Sequence, residues 1–472
     1  MPSAPVHPAK PTGGAANAPS VFLPLRFIVV GVLSLALALV LIALKPAVLA
    51  TYHYNQHVIA ITHLLLLGWI GSVVVGAVYQ LVPVALETRL YSERLARWQF
   101  LFHLIGFAGM VWMFWRWDMK QVGHFGSAFA VGVGLFVWNI ARTLARVPRW
   151  NVIAFAIAAA LGWLVLTVLV GLSIAAGKCA YEYATPLTQS GWLRATLRGL
   201  QAAGAFMGRF DQLGAMHAHA HAGVAGCFVM LIVGVSYRLL PMFAVSELQS
   251  PRRAAWSVAL LNVGLLGAFL AMLTRHPLKP FAALVIAAGL ALYALEVRAI
   301  LRARRRTHLD WGLRQFLAAL ALLIPGMALG LFLSWPGLAV TPLVGQLENL
   351  YGLLGVLGVV SLAILGMLYK IVPFLVWFGR YRGEIGRHRV PNLADLYATP
   401  VQVAGFALWA AGLFIAAVGT VLASELVVRL GALVLGGSWL CLGANLVLMF
   451  RHLVRPRLEP LPDPAAGKAV LA

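Results

Sequence analysis

Charge is scarce in this chain. Only 11% of its 472 residues are charged and 14 are Asp or Glu, while 61% are hydrophobic. A surface that poor in ions excludes an ordinary soluble domain. Carboxylates and hydroxyls are also thin in the inner halves of the apolar runs, so no strong proton-pumping route is expected. Cysteine is nearly absent: Cys179, Cys227 and Cys441 stand alone, which excludes a disulfide framework and any CxxC metal or redox site. Residues 1–20 (MPSAPVHPAKPTGGAANAPS) lack the charged-then-apolar pattern of a signal peptide. Their Pro/Ala/Gly composition predicts a disordered tail over 1–23.

Long apolar runs are what the chain has in abundance. Twelve are long enough to span a bilayer, at roughly 24–45, 58–84, 98–116, 124–145, 152–177, 217–243, 253–274, 279–301, 313–335, 348–378, 399–422 and 426–450. Hydrocarbon cannot hydrogen-bond free backbone groups, so each is expected to be a continuous helix. The fold class is therefore an all-α polytopic membrane protein, with a membrane domain over 24–455 and a second tail over 456–472. Net charge is +22. The basic residues fall in short loops, for example Arg302, Arg304, Arg305 and Arg306, so topology rather than nucleic acid explains them. The Lys/Arg asymmetry puts both termini in the cytoplasm of a bacterial-type inner membrane, with the longest outer loop at about 178–216. The lipid membrane is the one partner that composition establishes.

Three runs repeat one pattern. The second reads HLLLLGWIGSVVVGAVYQLVP (63–83), the sixth HAGVAGCFVMLIVGVSYRLLP (221–241) and the tenth LLGVLGVVSLAILGMLYKIVP (353–373). Gly68/Gly76, Gly226/Gly234 and Gly358/Gly366 fall in register, followed by Tyr79, Tyr237 and Tyr369, each four residues before a proline. Glycine packs helices and Tyr and Pro mark many helix ends. Shared spacing over some twenty residues in three places nevertheless points to three four-helix units, 24–150, 151–310 and 311–455. The first column holds His63, His221 and then Leu353. Gln80, Arg238 and Lys370 follow the tyrosines as topology-setting residues.

The sixth run opens on MHAHAHAGVAG (216–226). Successive helical residues turn by about 100°, so His217 and His221 lie about 40° apart while His219 points roughly 160° away from His221. An H-x-H helix can thus serve two clefts, and imidazole suits both haem iron and copper. His63 lies about 8 Å inside the apolar run, where a polar group needs a partner. His63 with His219 or His221 can supply the two axial ligands of a b-type haem. His53 and His57, four residues apart, form a candidate copper or zinc pair, and His217 and Glu348 are further candidate metal ligands. Each has a plainer reading: interfacial histidines bond water and headgroups, and Glu348 suits a helix N-terminus. Asp211 and Met216 are weaker candidates. His103 is expected to hydrogen-bond within the bundle, His124 to lie in an outer loop, and His276, His308, His388 and His452 to be solvated.

Twelve helices in three quartets, with histidines at the outer ends of the second and sixth, resemble subunit I of the haem–copper oxidase superfamily, nearest its C-type oxidase and nitric-oxide-reductase branch. HAHAGVAGCFVMLIVGVSYRLLP (219–241) is similar to that branch's ligand helix, and ITHLLLLGW (61–69) to its second-helix haem-ligand region. A weaker likeness is to the NnrS family, haem- and copper-containing proteins linked to nitric-oxide stress. The resemblance implies haem b, with copper as a second metal, and a cytochrome c or cupredoxin electron donor; no CxxCH is present, so any c-type haem belongs to a partner. Its departures are as informative. The tenth run carries ENLYGLLG (348–355) where the family has its H-x-H, and the seventh, WSVALLNVGLLGAFLAML (256–273), has no His–His pair for copper. A conventional binuclear centre is therefore excluded. The expectation is a haem protein of electron transfer or nitric-oxide/oxygen handling. The alternatives are a divergent reductase, which would be an oxidoreductase of the oxidase type, and a transporter with a histidine-lined site.

Overall fold

The structure, a computed structural model, describes residues 19–182 and 192–461. Most of the two expected tails, 1–18 and 462–472, lies outside the described residues. Among those described, twelve helices are long and apolar enough to cross a membrane: α1 Phe22–Leu44, α2 Gln56–Ala85, α3 Glu93–Arg116, α4 Met119–Leu144, α5 Val152–Lys178, α6 Gln212–Ala244, α7 Pro251–Leu273, α8 Lys279–Arg302, α9 Trp311–Leu333, α10 Pro342–Arg380, α11 Thr399–Val421 and α12 Glu425–Val454. They match the twelve apolar runs in number and order. Their starts reach a few residues further where side chains cap the first turn. Ser92, Asp118, Asp211, Ser250, Asp310, Thr341 and Ser424 each accept a backbone N–H two or three residues on. Helices α2, α6 and α10 are the most buried, at 61%, 61% and 67% of their apolar windows, and form the inner wall of the bundle.

The spans are continuous as expected, apart from a one-residue interruption in α9, but three of them are not regular α-helix throughout. α2, α6 and α10 each pass through a π-helical stretch, at Leu64–Gly71, Ala222–Val229 and Leu354–Val360. Each starts directly after the first residue of the repeated pattern: His63, His221 and Leu353. The i→i+5 bonding keeps the backbone satisfied while shifting the faces of the turns that follow, and such stretches concentrate at functional sites. α9 breaks at Leu322, because Pro325 has no N–H and its ring crowds the carbonyl of Ala321. The expected outer loop at 178–216 also contains a helix, Trp192–Met207. It approaches the end of α5 so closely that a Cβ on Gly204 would meet the Gly177 Cα at 2.6 Å.

One packing device recurs. Asn139 on α4, Glu296 on α8 and Asn445 on α12 are wholly buried, each 0% exposed. Each reaches the segment leading into the preceding helix. Asn139 accepts from the Ser92 N–H at 3.0 Å, Glu296 from the Gln249 and Ser250 N–H groups at 2.7 and 3.0 Å, and Asn445 from the Ala398 N–H at 2.8 Å. These donors head α3, α7 and α11 and would otherwise be unpaired. Glu296 carries a charge that the two asparagines do not, and Arg253 neutralises it at 2.6 Å. One sequence expectation needs correction at this end of the bundle. His452 is 7% exposed rather than solvated, because its Nδ1 pairs with the Tyr381 hydroxyl at 2.7 Å. The segment after α12 is held at its start: the Arg457 N–H donates to that hydroxyl, and Glu459–Pro460 pairs antiparallel with His388–Arg389.

Removing the cation of the Glu296 pair leaves a buried carboxylate uncompensated. Arg253→Ala is expected to cost about 3 kcal/mol, and adding Glu296→Gln to restore most of it, read from thermal unfolding in detergent.

Candidate functional site

At one end of the bundle the first turns of α2 and α6 bring the histidines together. His63 Nδ1 lies 2.7 Å from the Ile59 carbonyl, His221 Nδ1 2.8 Å from the His217 carbonyl, and His219 Nδ1 2.9 Å from the Thr167 carbonyl on α5. A carbonyl only accepts, so each Nδ1 carries the proton when the ring is neutral. Each Nε2 then keeps its lone pair, the tautomer a metal requires. Pinning the second ring nitrogen in this way also fixes the ring's direction.

The sequence left open whether His63 meets His219 or His221. The structure brings it to His219: the ring centroids are 6.4 Å apart and the planes 23° from parallel. Phe114 of α3 lies against the His63 ring at 4.6 Å. Gly171 of α5 admits His219, since a Cβ there would sit 2.7 Å from the ring's Cε1. His221 faces the other way, as its helical angle predicts, and its ring neighbour is Tyr351 of α10 at 5.6 Å. Thr167, Gly171, Phe114 and Tyr351 were missed in the sequence. A backbone acceptor and a glycine gap leave no signal there.

His53 and His57 do not form the expected pair. α2 starts at Gln56, capped by the Asn55 side chain, so His53 lies in a bend before the helix, where the i, i+4 rule has no force. His57 turns to Lys45, at 3.3 Å, and to Trp115. His53 instead meets His217, Nε2 to Nε2 at 3.2 Å, and lies 3.8 Å from the Glu348 carboxylate. Burial pulls the His53 pKa below its ordinary value, with the Asn349 side chain opposing in part, so the ring stays neutral. Asp211 caps α6 and is committed to Arg275 at 2.6 Å. His103 bonds Ser72 at 2.8 Å inside the bundle, as its position suggested.

All five histidines, His53, His63, His217, His219 and His221, line one cavity of ≈ 620 Å³. Its walls are otherwise mostly apolar. Beside His63 and His219 they include Met110, Phe114, Gly126 and Leu172, and toward α7, α8 and α9 they include Leu265, Ile286 and Met327. A cavity of this size with a few convergent polar groups suits a large planar cofactor. Neither α7 nor α10 contributes a histidine, so no copper ligands stand opposite His221 among the described residues.

A family model described as Cytochrome C and Quinol oxidase polypeptide I matches residues 17–119, which hold α1, α2 and α3 and with them His53, His57 and His63. The chain is also similar to a haem–copper terminal oxidase solved as a dimer by cryo-electron microscopy. The two share 13% identity over 93% of this chain and 85% of that one, with a TM-score of 0.54. At that identity the shared property is the fold. No curated protein sequence matches the chain. The chain is thus an integral membrane protein with the fold of haem–copper oxidase subunit I.

Gly→Ala inside a helix ordinarily stabilises by about 1 kcal/mol. Gly171→Ala should instead lower the unfolding temperature, because its methyl displaces a ring already tied to Thr167. Gly162→Ala on the same helix, with nothing within 4 Å of its Cβ, should not. Thermal unfolding of the two variants checks this.

Proposed function

We propose that the protein is a haem-binding electron carrier of the membrane, with His63 and His219 as the two axial ligands of a b-type haem. The single observation that carries this is the adjacent pair of half-buried, cavity-lining imidazoles, each with Nδ1 given to a carbonyl and, among the described residues, no partner at Nε2. Haem held by two histidines supplies reversible one-electron transfer and leaves the iron no open position for a substrate. The chain's own residues hold the rings in one tautomer, stack Phe114 on His63 and keep the surroundings apolar. The arrangement departs from the resemblance in one respect, since the ligands stand on α2 and α6 and α10 provides none. The histidine end is taken as the outer face of a bacterial-type inner membrane, because the basic loops lie at the other end. A cytochrome c or cupredoxin would then reach it from outside.

Handling of nitric oxide or oxygen is the second reading, and His221 favours it. Its Nδ1 is given to the His217 carbonyl, its ring neighbour is Tyr351, and among the described residues no second histidine ring lies against it. A haem held there would keep one open position for a diatomic ligand.

The protein purified in detergent should contain iron and give a reduced-minus-oxidised spectrum with the sharp alpha band of a six-coordinate haem. His63→Ala and His219→Ala should each abolish that band, while His57→Ala and His308→Ala keep it. A colourless, iron-free preparation would sink the proposal and favour transport; haem retained in both of the first two variants would overturn the ligand assignment. Consumption of nitric oxide or oxygen by the pure protein, lost in His221→Ala, would establish the second reading.

A further inference from the structure

The haem reading uses neither His53, His217 nor Glu348. We propose that these three residues bind one divalent first-row transition-metal ion, Cu(II) or Zn(II) in kind, at the mouth of the cavity and apart from the haem position. They are the one group of three such residues, among those described, whose ligand atoms all lie within 4.8 Å of one another. The two Nε2 atoms are 3.2 Å apart. With metal–nitrogen bonds of about 2.0–2.1 Å, that spacing subtends roughly 100° at an ion, near the tetrahedral value.

Protons alone leave this cluster incompletely satisfied. Two neutral imidazoles facing each other share one hydrogen bond between them. His53 Nδ1 and the Asn349 Oδ1 are both buried without a hydrogen-bond partner. Among the described residues, the Glu348 carboxylate has no Lys or Arg within ion-pair distance, and its one such neighbour is the neutral His53 ring at 3.8 Å. Lys279 gives its ammonium to the Leu333 carbonyl at 3.1 Å. A dication resolves the surplus of acceptors: it takes both Nε2 lone pairs and offsets the carboxylate. His53 Nδ1–H is then free to turn toward the Asn349 oxygen. Two imidazoles and one carboxylate form a borderline donor set that selects copper, zinc or iron over calcium and magnesium, which take oxygen ligands. The three ligands come from the chain before α2, from α6 and from α10. An ion there would therefore tie together three segments far apart in sequence and raise stability by mass action.

The test uses full-length protein stripped with a chelator, then equilibrated with Zn(II) or with Cu(II) and desalted. One equivalent of either ion per chain, beyond haem iron, is expected. His53→Ala, His217→Ala and Glu348→Gln should each lose it, and His57→Ala should keep it. Zn(II) should raise the unfolding temperature of the wild type and leave that of Glu348→Gln unchanged, which separates a lost ligand from a misfolded variant. Nitrogen hyperfine structure in the Cu(II) resonance of the wild type should show two imidazoles. The proposal is overturned if the wild type retains no ion, or if all three variants retain it and show the Zn(II) shift as the wild type does. Haem content is read separately. A haem protein without the second ion refutes only this site, and a haem-free protein that binds Zn(II) through these residues refutes only the haem reading.

Discussion

Hydrocarbon accepts no hydrogen bonds, and the structure follows from how this chain satisfies its polar groups without water. Three buried side chains, Asn139, Glu296 and Asn445, receive the backbone donors at the heads of α3, α7 and α11. The same constraint prepares the histidines. A neutral imidazole within a bundle must place its one proton, and the carbonyls of Ile59, Thr167 and His217 are the acceptors within reach. Once Nδ1 is committed, the remaining lone pair points where no protein donor waits, into the cavity. Readiness to bind a metal is thus a consequence of satisfying the backbone rule at these positions.

The parts legible in the sequence are those that depend on one dimension. Twelve apolar runs predict twelve spans, because the bilayer reads length and hydropathy alone. The helical angle separates His219 from His221 correctly, because both lie on one regular helix. The same rule fails for His53 and His57, because His53 precedes the helix and its direction is set by Asn55 and by the approach of α6. His452 was misread for a related reason: a polar residue near a helix end looks solvated until a phenol, here Tyr381, folds over it. Asn139, Glu296 and Asn445 escaped notice because each partner lies 46 or 47 residues away in sequence and is a backbone group with no residue type to recognise.

The π-helical stretches bear on how this fold accommodates its ligands. They occur after His63 and His221, and equally after Leu353, which can ligate nothing. The distortion therefore belongs to the scaffold and not to a metal. What the three helices share is a widened turn beneath their first patterned residue, and what distinguishes them is the side chain set on top of it.

That separation of scaffold from side chain is consistent with a fold that persists at 13% identity. Where α2, α6 and α10 present similar turns to a common interior, the pairing of ligands depends on which columns hold histidine. A leucine at 353 removes α10 from that set, and a glycine at 171 opens α5 so that His219 can turn toward His63. Such exchanges leave intact the buried caps and apolar faces that carry stability, so they alter which imidazoles meet at little cost to folding. The facing of His63 and His219 across α2 and α6 is the arrangement this logic yields once α10 lacks a histidine and α5 provides the gap.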